Sequence, residues 1–255
     1  MQFFVEEKSV VRKIWGKSDT ILFIFAGASA EFALNKAVDW LYFTGKLPAD
    51  PLGRLFSTVA YARKIVFSPM QEANKAIDIL RQIHGTVETN RGFSIPDWAY
   101  RDVLFMLIHY SIASYELLER KLSDEEKEEV HNVFFHVGLR MGLKELPLNY
   151  TAWLPVRQQH LMDDLHKTVY TADLFKQYRK HLGPMRFRVL LEGQKLVVPG
   201  RVKELLDFNN FSWLRLVVPL YKISRLMRMD WLLKMILLPS VYKNQINELD
   251  VRPEL

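Results

Sequence analysis

The 255-residue chain contains no cysteine. Disulfides, iron–sulfur clusters, thiolate-bound metals and cysteine nucleophiles are therefore all excluded. Glycine and proline are scarce, at 11 residues each, which argues against a sandwich or barrel with many tight turns. No apolar run reaches the ~20 residues a membrane span needs; the stretch 21–30 is short and is followed by Glu31. Residues 1–10 carry Glu6 and Glu7, unlike the basic start of a signal peptide. A cytoplasmic protein, membrane-associated at most through its surface, is the resulting expectation. The chain also lacks HExxH, P-loop and GxGxxG patterns. Its Gly27-Ala28-Ser29-Ala30-Glu31 stretch lacks the closing glycine of a nucleophile elbow. Hydrolase and nucleotide-dependent chemistries start from a weak position.

Hydrophobic residues make up 49% of the chain and charged residues 25%, enough for a sizeable core and against wholesale disorder. The formal charge is +6 and the excess is local. Residues 213–243 hold Arg215, Lys222, Arg225, Arg228, Lys234 and Lys243 against one acid, Asp230. A nucleic-acid face would spread its basic residues over a folded domain. A basic stretch loaded with Trp, Leu, Met and Ile suits a membrane surface or a partner helix instead.

The pattern along the chain is helix after helix, with no alternating strand. Asp50 and Pro51 signal a helix start, and 51–67 follows as helix. A second helix is expected over 69–88, with Ala73, Ile77, Leu80 and Val87 at helical spacing. Pro96 opens an apolar helix over 97–121. Ser123 and Glu126 form a capping box for the next, which Gly142 ends. Thr151 is expected to cap a helix to about 167, and Thr171 another that stops at Gly183-Pro184. Residues 186–196 read as helix. Apolar-basic segments beyond Pro199-Gly200 are divided by Pro219 and Pro239. The expected fold is all-α, one domain over 1–255, with a core at about 19–193 and a C-terminal helical extension at about 199–255.

Several side chains stand out. Arg54 and Thr58 are four apart, so one helix face presents both, and Tyr61 continues it. Arg54 is a fixed cation suited to a carboxylate or propionate, and Thr58 is a small hydroxyl donor. His84 falls on the apolar face set by Ile77 and Leu80, where an imidazole is either a hydrogen-bonded core residue or an iron ligand. Arg81 flanks that face and could pair with an anionic cofactor group. His109 sits within Phe105-Met106-Leu107-Ile108-His109-Tyr110, as a core histidine, a supporting group or an alternative ligand. Glu128 with His131, and Asp163 with His166, each place a carboxylate and an imidazole three apart, the shape used in di-iron bundles.

The string Asp50-Pro51-Leu52-Gly53-Arg54-Leu55-Phe56-Ser57-Thr58, followed by Arg81-Gln82-Ile83-His84, resembles the latex-clearing-protein-like, MpaB-type oxygenase family. The likeness extends through 103–115 to His181-Leu182-Gly183-Pro184-Met185-Arg186-Phe187 and covers roughly 19–240. It implies a globin-like helical core holding haem b and its iron. His84 would be the axial ligand, Arg81 the partner of a haem propionate, and Arg54 and Thr58 polar pocket residues needed for activity. Where the rubber-cleaving member has a lysine near its distal iron site, this chain has Ser57. That difference speaks against a lysine-closed resting state and against rubber as the substrate. Asp39 and Glu31 are the candidates for that member's glutamate base.

The leading expectation is a haem b-dependent oxygenase acting with O2 on a small lipophilic substrate, fed by an electron donor of unknown identity, with no nucleic-acid partner. One alternative is a non-haem di-iron oxidase using Glu128, His131, Asp163 and His166. Another is a non-enzymatic helical protein that docks on a membrane or partner through residues 213–243.

Overall fold

Short polar side chains fix where many of the helices start. The structure, a computed structural model, describes residues 2–43, 45 and 49–226. Ser9 accepts the Val11 amide at the head of α1 (Val10–Trp15). The chain turns at Gly16 and re-enters helix as α2 (Ser18–Phe32), then α3 (Val38–Phe43). Asp50 accepts the Gly53 amide at 2.8 Å, and Pro51, with no amide to satisfy, opens α4 (Pro51–Phe67). Helix α5 (Met70–Arg91) ends on Gly92, whose φ of 78° is a left-handed geometry that glycine adopts without strain. Helix α6 covers Asp97–Leu118.

Ser123 and Glu126 exchange the two hydrogen bonds of a capping box at the start of α7 (Asp124–Met141), and Gly142 terminates it. Asn149, not Thr151, caps α8 (Tyr150–Asp163). Thr168 precedes α9 (Val169–Val197), and Thr171 lies inside it, accepting the Thr168 amide. As expected, the helical path is interrupted at Gly183, where φ 74° and ψ 166° are not helical, so 169–197 is two helical segments meeting at a kink. Helices α10 (Gly200–Leu205) and α11 (Leu214–Leu226) complete the described chain.

The all-α expectation holds, and among the described residues only two isolated bridges stand outside helices. Pro219 was expected to divide segments but lies within α11. Burial of Leu214 and Val218 on its inner face compensates for the backbone hydrogen bond that the proline cannot make. Pro239 lies outside the described residues.

Helix α2 is the hub: its closest packing is against α6 and then α9. A Cβ on Gly27 of α2 would fall 2.2 Å from the Tyr110 ring of α6, so only glycine permits this approach. Trp15, Ile21, Ile24, Ile77, Phe105, Tyr110 and Trp153 are almost wholly buried around this contact. Each such side chain contributes on the order of 1.5–3 kcal/mol through burial. A second, smaller cluster of Ala33, Val38, Leu174 and Tyr178 joins α3 to α9.

Candidate functional site

Helices α4 and α5 are joined by Ser68 and Pro69 alone and pack closely, so they run antiparallel. Near the joining turn both are anchored in the core. Val59, Ala62, Ile65 and Val66 of α4 are buried, as are Ala73, Ala76 and Ile77 of α5. Further from the turn the anchoring of α5 thins. No described residue of α5 after Ile77 is buried; Leu80, His84 and Val87, on the inward face, are only half-buried. On α4, Ser57 and Thr58 are exposed. Positions 54 and 84 both lie about 20 Å from the turn at ~1.5 Å rise per residue. The fold therefore brings the Arg54–Thr58 stretch and the Arg81–His84 stretch to the same end of one hairpin, where the inward face of α5 is only half-covered.

The surroundings of His84 are built from α6. Its ring meets Tyr100 edge-on, with centroids 5.1 Å apart. Tyr100 donates to Glu88 at 3.1 Å, and the Ile95 amide donates to the same carboxylate oxygen at 2.9 Å. The loop between α5 and α6 is thus fastened beside His84. Burial, then the Glu88 carboxylate, raises the Tyr100 phenol well above its ordinary value and keeps it a donor. Next to His84, a Cβ on Gly85 would meet nothing within 4 Å, so this side of the helix is open. Arg81 is exposed one turn earlier. The Arg54 side chain lies outside the described part of the structure. From α2, Phe25 reaches α4 and packs edge-on against Phe56 at 5.7 Å.

The two candidate carboxylates have different fates. Asp39 pairs with Arg91 at 2.7 Å, and that guanidinium lies over Trp40 at 3.9 Å, tying α3 to the end of α5. Glu31 is fully buried. It accepts Arg157 at 2.5 Å and the Tyr110 hydroxyl at 2.7 Å. Burial, then Glu31, holds the Tyr110 phenol well above its usual value.

His109 belongs to this buried group rather than to the wall beside His84. It lies about 13 Å further along α6 than Tyr100, at ~1.5 Å per residue. It lines a cleft of about 460 Å³ with Ile112, Leu122, Tyr150 and Trp153, among others. Its Nε2 has no protein hydrogen-bond partner. Burial, then the Arg157 charge, lowers its pKa to about 4, with Glu31 and the Val197 backbone pulling the other way. The native ring is neutral where the unfolded ring, at 6.5, begins to protonate. Its contribution to stability is therefore complete above pH 6.5 and is lost as pH falls towards 4, for a total of about 3 kcal/mol. Urea unfolding between pH 7.5 and 4.5 should show this loss in the wild type. A His109→Gln variant should have a shallower acid slope; parallel curves would contradict the burial argument.

The di-iron alternative is not supported, because its four residues do not gather. Glu128 accepts the Tyr150 amide at 2.8 Å, and His131 is buried with its ring stacked on Phe135. Asp163 and His166 are exposed. Helical spacing puts Glu128 and His131 on one face of α7, but α8 ends at Asp163 rather than near 167, so His166 lies beyond the helix and shares no face with Asp163. Among the described residues, one set of three His, Asp or Glu side chains does converge closely enough to hold a metal ion: Asp102, His160 and Asp164. Sequence reasoning singled out none of these three, nor Arg157.

Among the described residues, no helix is long and apolar enough to cross a membrane. Compared with curated proteins and with solved structures, the chain shows no significant match. The family model described as ER-bound oxygenase mpaB/B′ and rubber oxygenase, catalytic domain, matches residues 14–232. That span includes the whole α4–α5 hairpin and α6 beside it. The chain thus belongs to the mpaB/rubber-oxygenase catalytic-domain family, an oxygenase family whose members are oxidoreductases.

Proposed function

We propose that the protein is a haem b-dependent oxygenase that uses O2 to oxidise a small lipophilic substrate, with His84 as the axial iron ligand. The observation that carries this reading is the half-buried inward face of α5 beyond Ile77. A helix whose inward face is half-buried, with a histidine on it, suits a flat apolar group laid against it. Haem has that shape, and an imidazole among apolar neighbours is a suitable ligand for its iron. When bound, the haem would supply the redox chemistry of O2 activation.

The chain would supply the rest. Tyr100, locked to Glu88, would set the orientation of the His84 ring. Arg81 would pair with a propionate, its exposure matching the edge of a haem that meets water. Thr58 and Arg54 would provide a hydroxyl and a fixed charge at the pocket. Apolar walls from α2 and α6 would receive the substrate and keep water out. Haem content and iron analysis of the purified protein test this reading. One protohaem per chain supports it. About two irons per chain without porphyrin would replace it with non-haem chemistry.

A specific observation also favours membrane association. The inner face of α11 is fixed by buried Leu214 and Val218, and by Tyr221, which donates to Asp19 at 2.9 Å. Its outer face presents Leu216, Leu220 and Ile223 at 68%, 65% and 56% exposure, with Trp213 just before the helix and exposed Arg215 beside it. Lys222 turns inward and donates to the Glu119 carbonyl at 3.4 Å, while the side chain at 225 and the basic residues at 228, 234 and 243 lie outside the described part of the structure. We propose that this face docks on an anionic membrane surface and places the site near lipophilic substrates. Replacing Leu216 and Leu220 by glutamate should lower co-sedimentation with phosphatidylserine-containing vesicles roughly tenfold or more, since it removes two apolar anchors and adds two negative charges. Circular dichroism should be unchanged. Undiminished vesicle binding would contradict this role.

A further inference from the structure

Three side chains meet where α6, the end of α8 and the turn after α2 come together. Asp102 belongs to α6, His160 lies in the last turn of α8, and Asp164 is the residue that caps α8. One ligating atom from each lies within 4.8 Å of the other two. His160 Nδ1 contacts Asp102 Oδ1 and lies 3.3 Å from Asp164 Oδ2. The side chains are 11%, 2% and 14% exposed for His160, Asp102 and Asp164, so the group is sheltered but not wholly sealed.

The surroundings hold these ligands in place. Asn35 donates its side-chain amide to the second Asp102 oxygen at 2.5 Å, and its own carbonyl oxygen accepts the Ala37 amide at 2.7 Å. Two backbone hydrogen bonds, Lys36 to the Asp164 carbonyl at 2.9 Å and His166 to the Leu34 carbonyl at 2.8 Å, lock the turn after α2 to the end of α8. Such outer hydrogen bonds are what keep ligating carboxylates and turns in register.

The electrostatics call for a cation. Two carboxylates and the carbonyl end of α8 face one small volume, and a helix C-terminus already disfavours negative charge. Lys36 answers only weakly, 3.7 Å from Asp164 with its side chain 44% exposed. Arg157, a buried cation whose charge Asp102 also feels, is bonded to Glu31.

We propose that Asp102, His160 and Asp164 bind one divalent first-row transition ion, which clamps α6, α8 and the turn after α2. One imidazole nitrogen with two carboxylate oxygens suits Mn²⁺, Fe²⁺, Co²⁺ or Zn²⁺ better than Ca²⁺ or Mg²⁺, which take oxygen ligands. The site is separate from His84 and does not depend on the haem reading.

The test is calorimetric titration of ZnCl₂ and, separately, MnCl₂ into the EDTA-treated, dialysed full chain at pH 7.5, repeated with haem-loaded protein. The expected result is saturable binding of about one ion per chain together with a raised melting temperature. Asp164→Asn, a rim substitution that preserves side-chain volume, should weaken binding by ~100-fold. His160→Gln should abolish it, and neither should change haem content. If His160→Gln does not fold, Asp164→Asn alone decides. Absence of saturable binding, or equal affinity in wild type and Asp164→Asn, would overturn the proposal and leave the three side chains as a hydrogen-bonded structural group.

Discussion

Changing His84 to alanine is expected to remove the Soret band and leave a folded protein without haem. The fold should survive because the side chain is only half-buried and its neighbour Gly85 faces open space. A change at such a position costs on the order of 1 kcal/mol or less. Circular dichroism should therefore match the wild type while haem content falls to background. His84→Gly sharpens the result, since the vacated ring volume can accept free imidazole from solution, and added imidazole should restore a Soret band. A band that persists in His84→Ala but disappears in His109→Ala would move the ligand to α6 and contradict the assignment.

The second large effect concerns stability. Arg157 and Glu31 are 5% and 1% exposed and form an ion pair joining α2 to α8, with Tyr110 of α6 donating to the same carboxylate oxygen. Arg157→Met would leave the Glu31 carboxylate buried with one hydrogen bond and no counter-charge. Breaking a buried pair from one side typically costs about 3–5 kcal/mol. In a domain of this size that lowers Tm by about 10 °C. The double variant Glu31→Gln with Arg157→Met removes both charges and should regain much of the loss. Thermal unfolding of the wild type and both variants checks this, and a double variant no more stable than Arg157→Met would show that packing rather than charge dominates.

Much of the helical framework was legible because its signals are local. The Ser123–Glu126 capping box, the left-handed Gly142 and the Asp50-Pro51 start each involve residues within one turn. Proximity in sequence was enough to place them. Boundaries failed where two capping residues compete. Asn149 lies one turn before the helix needs an acceptor and takes the role assigned to Thr151; Thr168 likewise precedes Thr171. The helices Val10–Trp15 and Val38–Phe43 escaped notice because six residues carry too little periodicity to stand out.

The site divides along the same line. Arg54 with Thr58, and Arg81 with His84, were visible as pairs within a turn, and the short Ser68-Pro69 connection brings the pairs to one end. The charged groups behind them were not visible. Glu31 meets Arg157 across 126 residues and Asp102 meets His160 across 58. No spacing rule links such distances; only the packing of α2, α6 and α8 does. Glu31 directly after an apolar stretch was the one local hint that a buried charge needed a partner.

The central claim is that the half-buried imidazole on α5 holds an iron porphyrin. Titrating hemin into haem-free wild type and His84→Ala, and following the absorption spectrum, tests it most directly. The account predicts a Soret band that saturates at one haem per chain in the wild type and no saturating band in the variant. Identical titrations for the two proteins, or no Soret band in either, would contradict it.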